Sequence, residues 1–152
     1  MSEPSDADAP EDLDALIARV DPDRWLSSRY VAYPERRADV LAIYALDHEL
    51  GRAPRVASNP LIGEIRLTWW REALDEVFGA APVRRHPTAL ALHAAVARHD
   101  LPRERFEAMV DARYRELDPR PMSLDEALAW SADTGGASAA LAAAILDPAA
   151  DP

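Results

Sequence analysis

Apolar residues recur at helical spacing along most of the chain, in stretches separated by prolines and glycines. In the first stretch, Leu13, Leu16, Ile17 and Val20 are three or four positions apart, which places them on one helix face. No segment alternates apolar and polar residues with the β-branched side chains typical of a strand. The pattern therefore predicts an all-α protein, with helices at about residues 13–20, 23–33, 34–50, 60–78, 87–99, 102–117 and 124–146.

Residues that start and stop helices support these bounds. Proline is tolerated at the first helical position, where its missing N–H would be unpaired anyway, and three prolines stand there: Pro34, Pro60 and Pro87. Asp23 is the predicted N-cap of the second helix, and Gly51 and Gly79 are the predicted stops of the two long helices. Ser123 and Glu126 have the S-x-x-E spacing of a capping box.

Charge is distributed unevenly along the 152 residues. The chain has 27 acidic residues, 17 arginines and no lysine, for a formal net charge of −10. Residues 1–23 hold eight acids against one arginine, while residues 24–146 are close to neutral. We therefore predict an acidic leader with one short helix at 1–22, its residues 1–10 disordered, a helical domain at 23–146 and a tail at 147–152.

Composition excludes several classes of function. A nucleic-acid binder needs a basic face, and the sequence supplies none. The absence of cysteine removes disulfides, thiolate metal sites and a cysteine nucleophile. No apolar run approaches the roughly 18 residues that a membrane-spanning helix needs, and the N-terminus has no signal-peptide core. We expect a cytoplasmic protein, or one peripheral to a membrane.

Asp47 is the first candidate for a functional role. On the helix 34–50 it shares an arc with Val40, Ile43, Tyr44 and Leu50. A carboxylate among core-facing residues is costly unless it is paired or faces a polar cavity. A structural salt bridge is the more common outcome. Arg66, on a largely apolar side of the next helix, is the candidate partner.

A polar stripe on the helix 60–78 is the second candidate. It consists of Glu64, Thr68, Arg71, Glu72 and Asp75, opposite an apolar side formed by Leu61, Ile65, Trp69, Ala73 and Val77. The stripe either lines a polar cavity or is a solvated face with pairs three and four residues apart.

Metal-binding and phosphate-binding signatures are weak. His48-Glu49 begins like the HExxH zinc motif, but Arg52 occupies the position of the second histidine. We expect His86, His93 and His99 to have solvent or capping roles. Gly135-Gly136 is expected to interrupt the last helix, where close packing or a kink is the better explanation than phosphate binding.

Several segments nevertheless resemble the squalene/phytoene synthase family. They are DRWL (23–26), PERR (34–37), VLAIYAL (40–46), GEIRLTWWR (63–71), His86-Pro87 and WSADTGG (130–136). Their order and spacing agree with the first half of that family's single all-α domain, over about residues 23–146. The segments LDHEL and EIRLTWWR are most similar to a divergent branch that includes homologues of a mitochondrial complex I assembly factor.

The resemblance implies an isoprenoid-synthase-like helical bundle, of which this chain supplies only the N-terminal half. Enzymes of the family condense two isoprenoid diphosphates head to head, and two aspartate-rich helices hold the Mg²⁺ that binds the diphosphates. The expected aspartates of the first cluster fall here on Gly51, Arg52 and Arg55. The second cluster belongs to the half that this chain lacks. The sequence thus offers no Mg²⁺ ligands at the expected positions, and Mg²⁺ is expected only if the chain is an active enzyme of the family.

Three hypotheses follow from the resemblance. The first, which we favour, is a family member without prenyltransferase activity that binds an isoprenoid, a lipid or a protein partner. The second is an active transferase completed by another chain, or one that uses Asp47, Glu49, Glu64, Glu72 and Asp75 as unconventional ligands. The third is a truncated product or assembly-partner domain, covered by another protein or a second copy, because residues 137–146 are apolar around most of the helix. The candidate cavity-lining residues are Tyr44, Asp47, Arg52, Glu64, Arg66, Thr68, Arg71, Glu72 and Asp75.

Overall fold

Helices account for nearly all of the regular structure. The computed structural model describes residues 12–55, 59–147 and 149, and within them it contains no strand, which confirms the all-α prediction. The predicted disordered leader, residues 1–10, lies outside the described residues, as does most of the predicted tail. The helices are α1 (Leu13–Val20), α2 (Pro22–Ser28), α3 (Pro34–Arg52), α4 (Pro60–Phe78), α5 (Pro87–Arg98), α6 (Arg103–Tyr114), α7 (Leu124–Ser131) and α8 (Ala137–Leu146).

Most helix starts follow the predicted capping chemistry. The first residues of α3, α4 and α5 are the three predicted prolines. The Asn59 side chain accepts a hydrogen bond from the backbone N–H of Leu61. The capping box at α7 is complete, because Ser123 and Glu126 each accept from the other's backbone N–H. The α2 cap was predicted wrongly: Asp21 caps the helix and Pro22 is its first residue, so Asp23 lies inside it.

Several helix ends also differ from the prediction, and the second helix ends at Ser28 rather than near residue 33. Gly51 does not stop α3, which continues to Arg52; one glycine costs a helix only about 1 kcal/mol, so packing on both sides overrides it. The predicted last helix is divided into α7 and α8 by a π-helical turn at Ala132–Gly136, which confirms an interruption at the glycine pair. The predicted helix 102–117 ends as a 3₁₀ turn at Arg115–Leu117.

Helix α3 is the centre of the bundle. It packs against α1, α2, α5, α6 and α8, and almost every residue from 39 to 47 is buried. A helix surrounded in this way buries side chains on nearly every face. Leu16 and Ile17 of α1 pack on Leu41 and Ala45 of α3, so the first helix is joined to the main body of the molecule.

Helix α4 buries only part of the predicted apolar side, since Ala73 and Val77 are buried but Leu61 and Ile65 are not. Its core side chains are Leu67, Trp70, Leu74 and Val77, together with Ala73. Leu61 and Ile65, which were assigned to the apolar side, are 56% and 60% exposed. Helix α4 has two apolar arcs, and the arc that includes Leu67 and Leu74 packs against α5 and α6.

Helix α8 packs against α3 and α6. Leu141 and Ile145 are fully buried, whereas Leu146 is 42% exposed at the end of the helix. The apolar circumference of α8 is therefore only partly covered. Among the described residues, no helix is long and apolar enough to cross a lipid bilayer.

Candidate functional site

Asp47 is the centre of a buried ion-pair cluster. Its side chain is 10% exposed, and each of its carboxylate oxygens accepts a charged hydrogen bond. Arg113 Nη2 of α6 donates to Oδ1 at 2.8 Å, and Arg24 Nη1 of α2 donates to Oδ2 at 2.7 Å. The salt-bridge interpretation of Asp47 is thus confirmed, but its predicted partner is wrong: Arg66 lies elsewhere, exposed on α4.

The cluster continues from Arg113 toward the 3₁₀ turn and α7. Arg113 Nη1 donates to Oε1 of Glu116 at 2.6 Å, and the indole Nε1 of Trp130 donates to the same oxygen at 3.1 Å. The Arg113 guanidinium also lies over the Trp130 ring, 5.6 Å from its centroid. Trp130, the first residue of the WSADTGG segment, therefore shields the ion pair from solvent and links α7 to α6.

Arg24 and Tyr44 close the other side of Asp47. Burial opposes the charge of Arg24, but the hydrogen bond and the negative charge of Asp47 outweigh it, so the pKa of Arg24 is raised. The Arg24 guanidinium lies 5.1 Å from the centroid of the Tyr44 ring. Burial raises the pKa of the Tyr44 phenol. Arg24 therefore stays charged and the Tyr44 phenol stays neutral at physiological pH.

Two neighbouring cavities adjoin the C-terminal end of α3. The first, of about 490 Å³, is lined by Asp47 and its surroundings: Val20, Asp21, Arg24, Tyr44, Asp47, His48, Gly51, Arg52, Arg55 and Arg113. The second, of about 350 Å³, is lined by Glu49, Arg52, Ala53, Ile65, Arg66, Trp69, Trp70 and His86. Arg52 lines both. Of the predicted site residues, Tyr44, Asp47 and Arg52 share the first cavity, and Arg52 and Arg66 share the second.

The wall of the second cavity is aromatic and fixed in place. The rings of Trp69, Trp70 and His86 meet edge to face, with centroids 5.0 to 5.3 Å apart. The Arg84 guanidinium lies 4.5 Å from the Trp69 ring centroid and donates to the Trp69 carbonyl at 3.1 Å. The Arg84 side chain donates hydrogen bonds to the Glu76 carboxylate, and these bonds lower the pKa of Glu76 to about 2. This aromatic wall was not predicted from the sequence, although the two adjacent tryptophans, one helical turn after Ile65, indicate it.

The predicted stripe on α4 does not join Asp47. All five of its residues are exposed, and four of them, Thr68, Arg71, Glu72 and Asp75, bond to neighbouring helices or loops. Arg71 pairs with Asp111 and Asp75 pairs with Arg103, both on α6. Three more of its members, together with their surroundings, line a shallow surface pocket: Leu61, Glu64, Ile65, Thr68, Trp69 and Glu72. The stripe is thus a solvated face whose ion pairs connect α4 to α6.

Asp39 is a second buried carboxylate that the sequence analysis missed. It is 1% exposed and pairs with Arg98 and with Nε2 of His99, the latter at 2.9 Å. His93 Nδ1 lies 2.9 Å from the carbonyl oxygen of Val77. His93 is exposed and faces a carbonyl in the last turn of α4, and His99 is the C-cap residue of α5, which agrees with the predicted solvent or capping roles. Both side chains also connect helices. The signal was available, because Asp39 lies four positions before Ile43 on the arc that contains Asp47.

The residues around Asp47 do not fit a magnesium ion. Mg²⁺ needs free carboxylate oxygens, whereas both oxygens of Asp47 are occupied by guanidinium groups. Arg52 and Arg55 carry no lone pair to offer a cation. Within the described ranges, no three histidine, aspartate or glutamate side chains are grouped closely enough to hold a metal ion. Of the five acids of the second hypothesis, only Glu64 and Glu72 share a pocket; Asp47, Glu49 and Asp75 line three different ones.

Comparison with known proteins gives a family and a set of distant relatives. The squalene/phytoene synthase family model matches residues 17–152. The chain is similar to assembly factor 6 of NADH dehydrogenase (ubiquinone) complex I: it is 30% identical to the Homo sapiens protein over 86 residues, 57% of this chain and 26% of that protein. The Mus musculus protein is 26% identical over 123 residues, 80% of this chain and 36% of that protein. The matches span between a quarter and about a third of these relatives' length. No solved structure gives a significant match.

Proposed function

The chain belongs to the squalene/phytoene synthase family, and we propose that it uses the helical scaffold of that family to bind an isoprenoid, lipid or protein partner without magnesium-dependent prenyl transfer. The proposal rests on the hydrogen bonds of Asp47, because both of its carboxylate oxygens accept from arginines, Arg113 and Arg24. The cavities beside it, lined by Tyr44, Arg52 and aromatic residues, are the proposed binding region.

Head-to-head prenyl transfer requires bound divalent cations. Loss of a diphosphate builds negative charge that divalent cations neutralise, and carboxylate oxygens must hold those cations in place. To become a ligand, Asp47 would have to leave two guanidinium partners, one of them only 8% exposed. Stripping the counter-charge from a buried arginine costs several kcal/mol. The arginines therefore compete with a metal ion for the same oxygens.

An activity assay tests the absence of transfer. Purified protein is incubated with farnesyl or geranylgeranyl diphosphate and Mg²⁺, beside an active head-to-head prenyltransferase as positive control. We expect no condensed product above the protein-free background, while circular dichroism shows a folded helical protein. Turnover above background would refute the proposal. Metal-dependent binding of a diphosphate analogue, lost in Asp47→Ala, would support the alternative of a transferase completed by another chain.

A second candidate function is assembly with a protein partner. It is favoured by three neighbouring apolar side chains on α4, Leu61, Ile62 and Ile65, which are 41% to 60% exposed. The similarity to relatives named complex I assembly factor 6 agrees with such a role. Size-exclusion chromatography with light scattering tests it: self-association gives a mass above that of one chain, and Leu61→Ser restores the monomer. For either function we propose a cytoplasmic location, or one at the surface of a membrane.

A further inference from the structure

Helix α4 carries a row of exposed apolar side chains along its outer side. Leu61, Ile65 and Trp69 are four positions apart, so they follow one another along the helix surface. Leu61 and Ile65 are 56% and 60% exposed, Ile62 beside them is 41% exposed, and Trp69 is half-buried. We call Leu61, Ile65 and Trp69 the α4 ridge. Large apolar side chains grouped on a surface in this way are typical of a contact site.

A depression lies on each side of the α4 ridge. On one side, Ile65 and Trp69 border the shallow pocket of about 320 Å³ that also contains Glu64 and Glu72. On the other side, the same two residues line the 350 Å³ cavity that contains Arg66. The ridge therefore stands between two hollows that can receive side chains of another helix.

The two edges of the α4 ridge carry opposite charge. Glu64 is exposed, and the Glu72 side chain is 62% exposed. On the opposite edge Arg66 is exposed, while Glu49 in the same cavity already pairs with Arg52 at 3.5 Å. One edge thus presents carboxylates and the other presents a guanidinium group.

We infer that two copies of this chain pair through their α4 ridges, with the two helices parallel about a two-fold axis. In a parallel pair the acidic edge of each helix lies against the basic edge of the other, so Glu64 of each copy meets Arg66 of the other copy. In an antiparallel pair like edges would meet, and Glu64 would face Glu64. The inference rests on the second candidate function, assembly through α4, and adds the partner and its orientation.

The same charges favour a second copy over a membrane surface. The cytoplasmic leaflet is negatively charged, and Glu64 and Glu72 beside the ridge would be repelled by it. The net charge of −10 adds to that repulsion. A second copy, by contrast, covers the apolar ridge and supplies an opposite charge to both edges.

Sedimentation equilibrium of the full chain, over a hundredfold range of concentration, tests the pairing. We expect a reversible monomer–dimer equilibrium that Ile65→Ser shifts to the monomer, because this substitution places a polar side chain at the centre of the ridge. A dimer that survives Ile65→Ser overturns the assignment to α4. A chain that stays monomeric at every concentration overturns the inference, whether or not it binds vesicles or another protein.

Charge reversals test the facing of the edges. Glu64→Arg and Arg66→Glu each place like charges against each other twice in a symmetric dimer, so each should weaken dimerisation about tenfold. In a one-to-one mixture, the basic surface of the first variant meets the acidic surface of the second, and a heterodimer at least as strong as the wild-type dimer is expected. Unchanged dimerisation in both single variants overturns the parallel pairing.

Matched controls reverse charges away from the ridge. Glu104 is exposed on α6, and the Arg120 side chain is 79% exposed after the 3₁₀ turn; neither lines the two depressions. Glu104→Arg and Arg120→Glu should leave the dissociation constant of the dimer within twofold of the wild type. Thermal melting checks that every variant folds. An effect of these controls as large as that of the ridge variants would show a general charge effect and overturn the inference.

Cysteine cross-linking measures the orientation directly, because the chain has no cysteine of its own. Leu61 and Glu72 lie on the same arc of α4, eleven positions apart and so about 16 Å apart along the helix. In a parallel pair each of these positions meets its own counterpart, so Leu61→Cys and Glu72→Cys should each form a disulfide-linked dimer on oxidation. An antiparallel pair brings at most one of the two positions onto its counterpart, and that result overturns the orientation.

Failure of the inference is distinguishable from failure of the candidate function. A dimer that Leu61→Ser dissociates, but that ignores the charge reversals, leaves assembly through α4 intact and overturns the parallel pairing. Prenyl transfer is a separate question, since it appears as condensed product in the activity assay and not as a change in the dimer dissociation constant.

Discussion

Asp47 illustrates how a carboxylate can be retained on the apolar face of a central helix. Removing its charge from water costs several kcal/mol, and charged hydrogen bonds to both of its oxygens offset that cost. One partner, Arg113, is buried with it, while the other, Arg24, is 33% exposed. Removing Asp47 alone would therefore leave a buried guanidinium with only Glu116 as its counter-charge.

We expect Asp47→Asn to lower the free energy of unfolding by about 3 kcal/mol, because breaking one side of a buried ion pair is strongly destabilising. Urea denaturation at pH 7 measures it. The matched control is Asp75→Asn, whose carboxylate is 65% exposed in its pair with Arg103; its effect should not exceed about 1 kcal/mol. Equal effects of the two substitutions would contradict a structural role for Asp47.

At the residue scale, the sequence predicted that Asp47 is buried and paired, but not with which residue. Helical spacing is local information, and it places a carboxylate on a core-facing arc. The partner, Arg113, is 66 positions away on another helix, and its position depends on how α6 packs against α3. For the same reason the sequence did not predict the pairing of Asp39 with Arg98, which is 59 positions away.

At the scale of the elements, the helix starts were predicted more accurately than the faces that the helices bury. A proline at the first position or a capping serine acts within one turn, so the starts of α4 and α7 could be predicted from the sequence. The buried face of α4 depends instead on its contacts with α5 and α6. That helix has two apolar arcs, and the spacing of apolar residues alone does not predict which of them is buried.

The capping box of α7 gives a prediction at this scale. Ser123→Ala removes the side chain that accepts the backbone N–H of Glu126 at 3.2 Å. We expect a loss of about 1 kcal/mol in the free energy of unfolding. Ser131→Ala, at the exposed C-terminal end of the same helix, is the control and should stay within about 0.5 kcal/mol of the wild type. A larger effect in the control would contradict the assignment of the cap.

The attachment of α1 to α3 gives a pH-dependent prediction. The side-chain hydrogen bond from Arg37 holds the pKa of Asp14 at about 2, below its usual 3.8. A lowered pKa in the folded state stabilises the protein above pH 3.8, and the stabilisation is lost as the pH falls towards 2. Asp14→Asn should therefore be less stable than the wild type at pH 7. Thermal melting between pH 7 and 2 should show this difference shrinking below pH 4; a difference independent of pH would contradict the ion pair.

For the molecule as a whole, family membership is shown, whereas the absence of prenyl transfer is our proposal. The family model covers residues 17–152, and the helical framework follows it. The resemblance at IYALDHEL implies that Gly51, Arg52 and Arg55 occupy the positions of the first aspartate cluster. What the sequence did not predict is that Arg52 lines two adjoining cavities, which depends on the meeting of α3, α4 and the segment at His86.

The account depends most on Asp47 being a structural ion-pair residue rather than a magnesium ligand. The most direct measurement is a crystal structure of the full chain grown with Mn²⁺ and a non-reactive thiolo analogue of farnesyl diphosphate, with anomalous scattering used to locate manganese. The account predicts that Arg113 and Arg24 remain bonded to the Asp47 carboxylate and that no manganese peak lies at coordination distance from it. A manganese ion bound to the Asp47 oxygens, with the two arginines displaced, would contradict it.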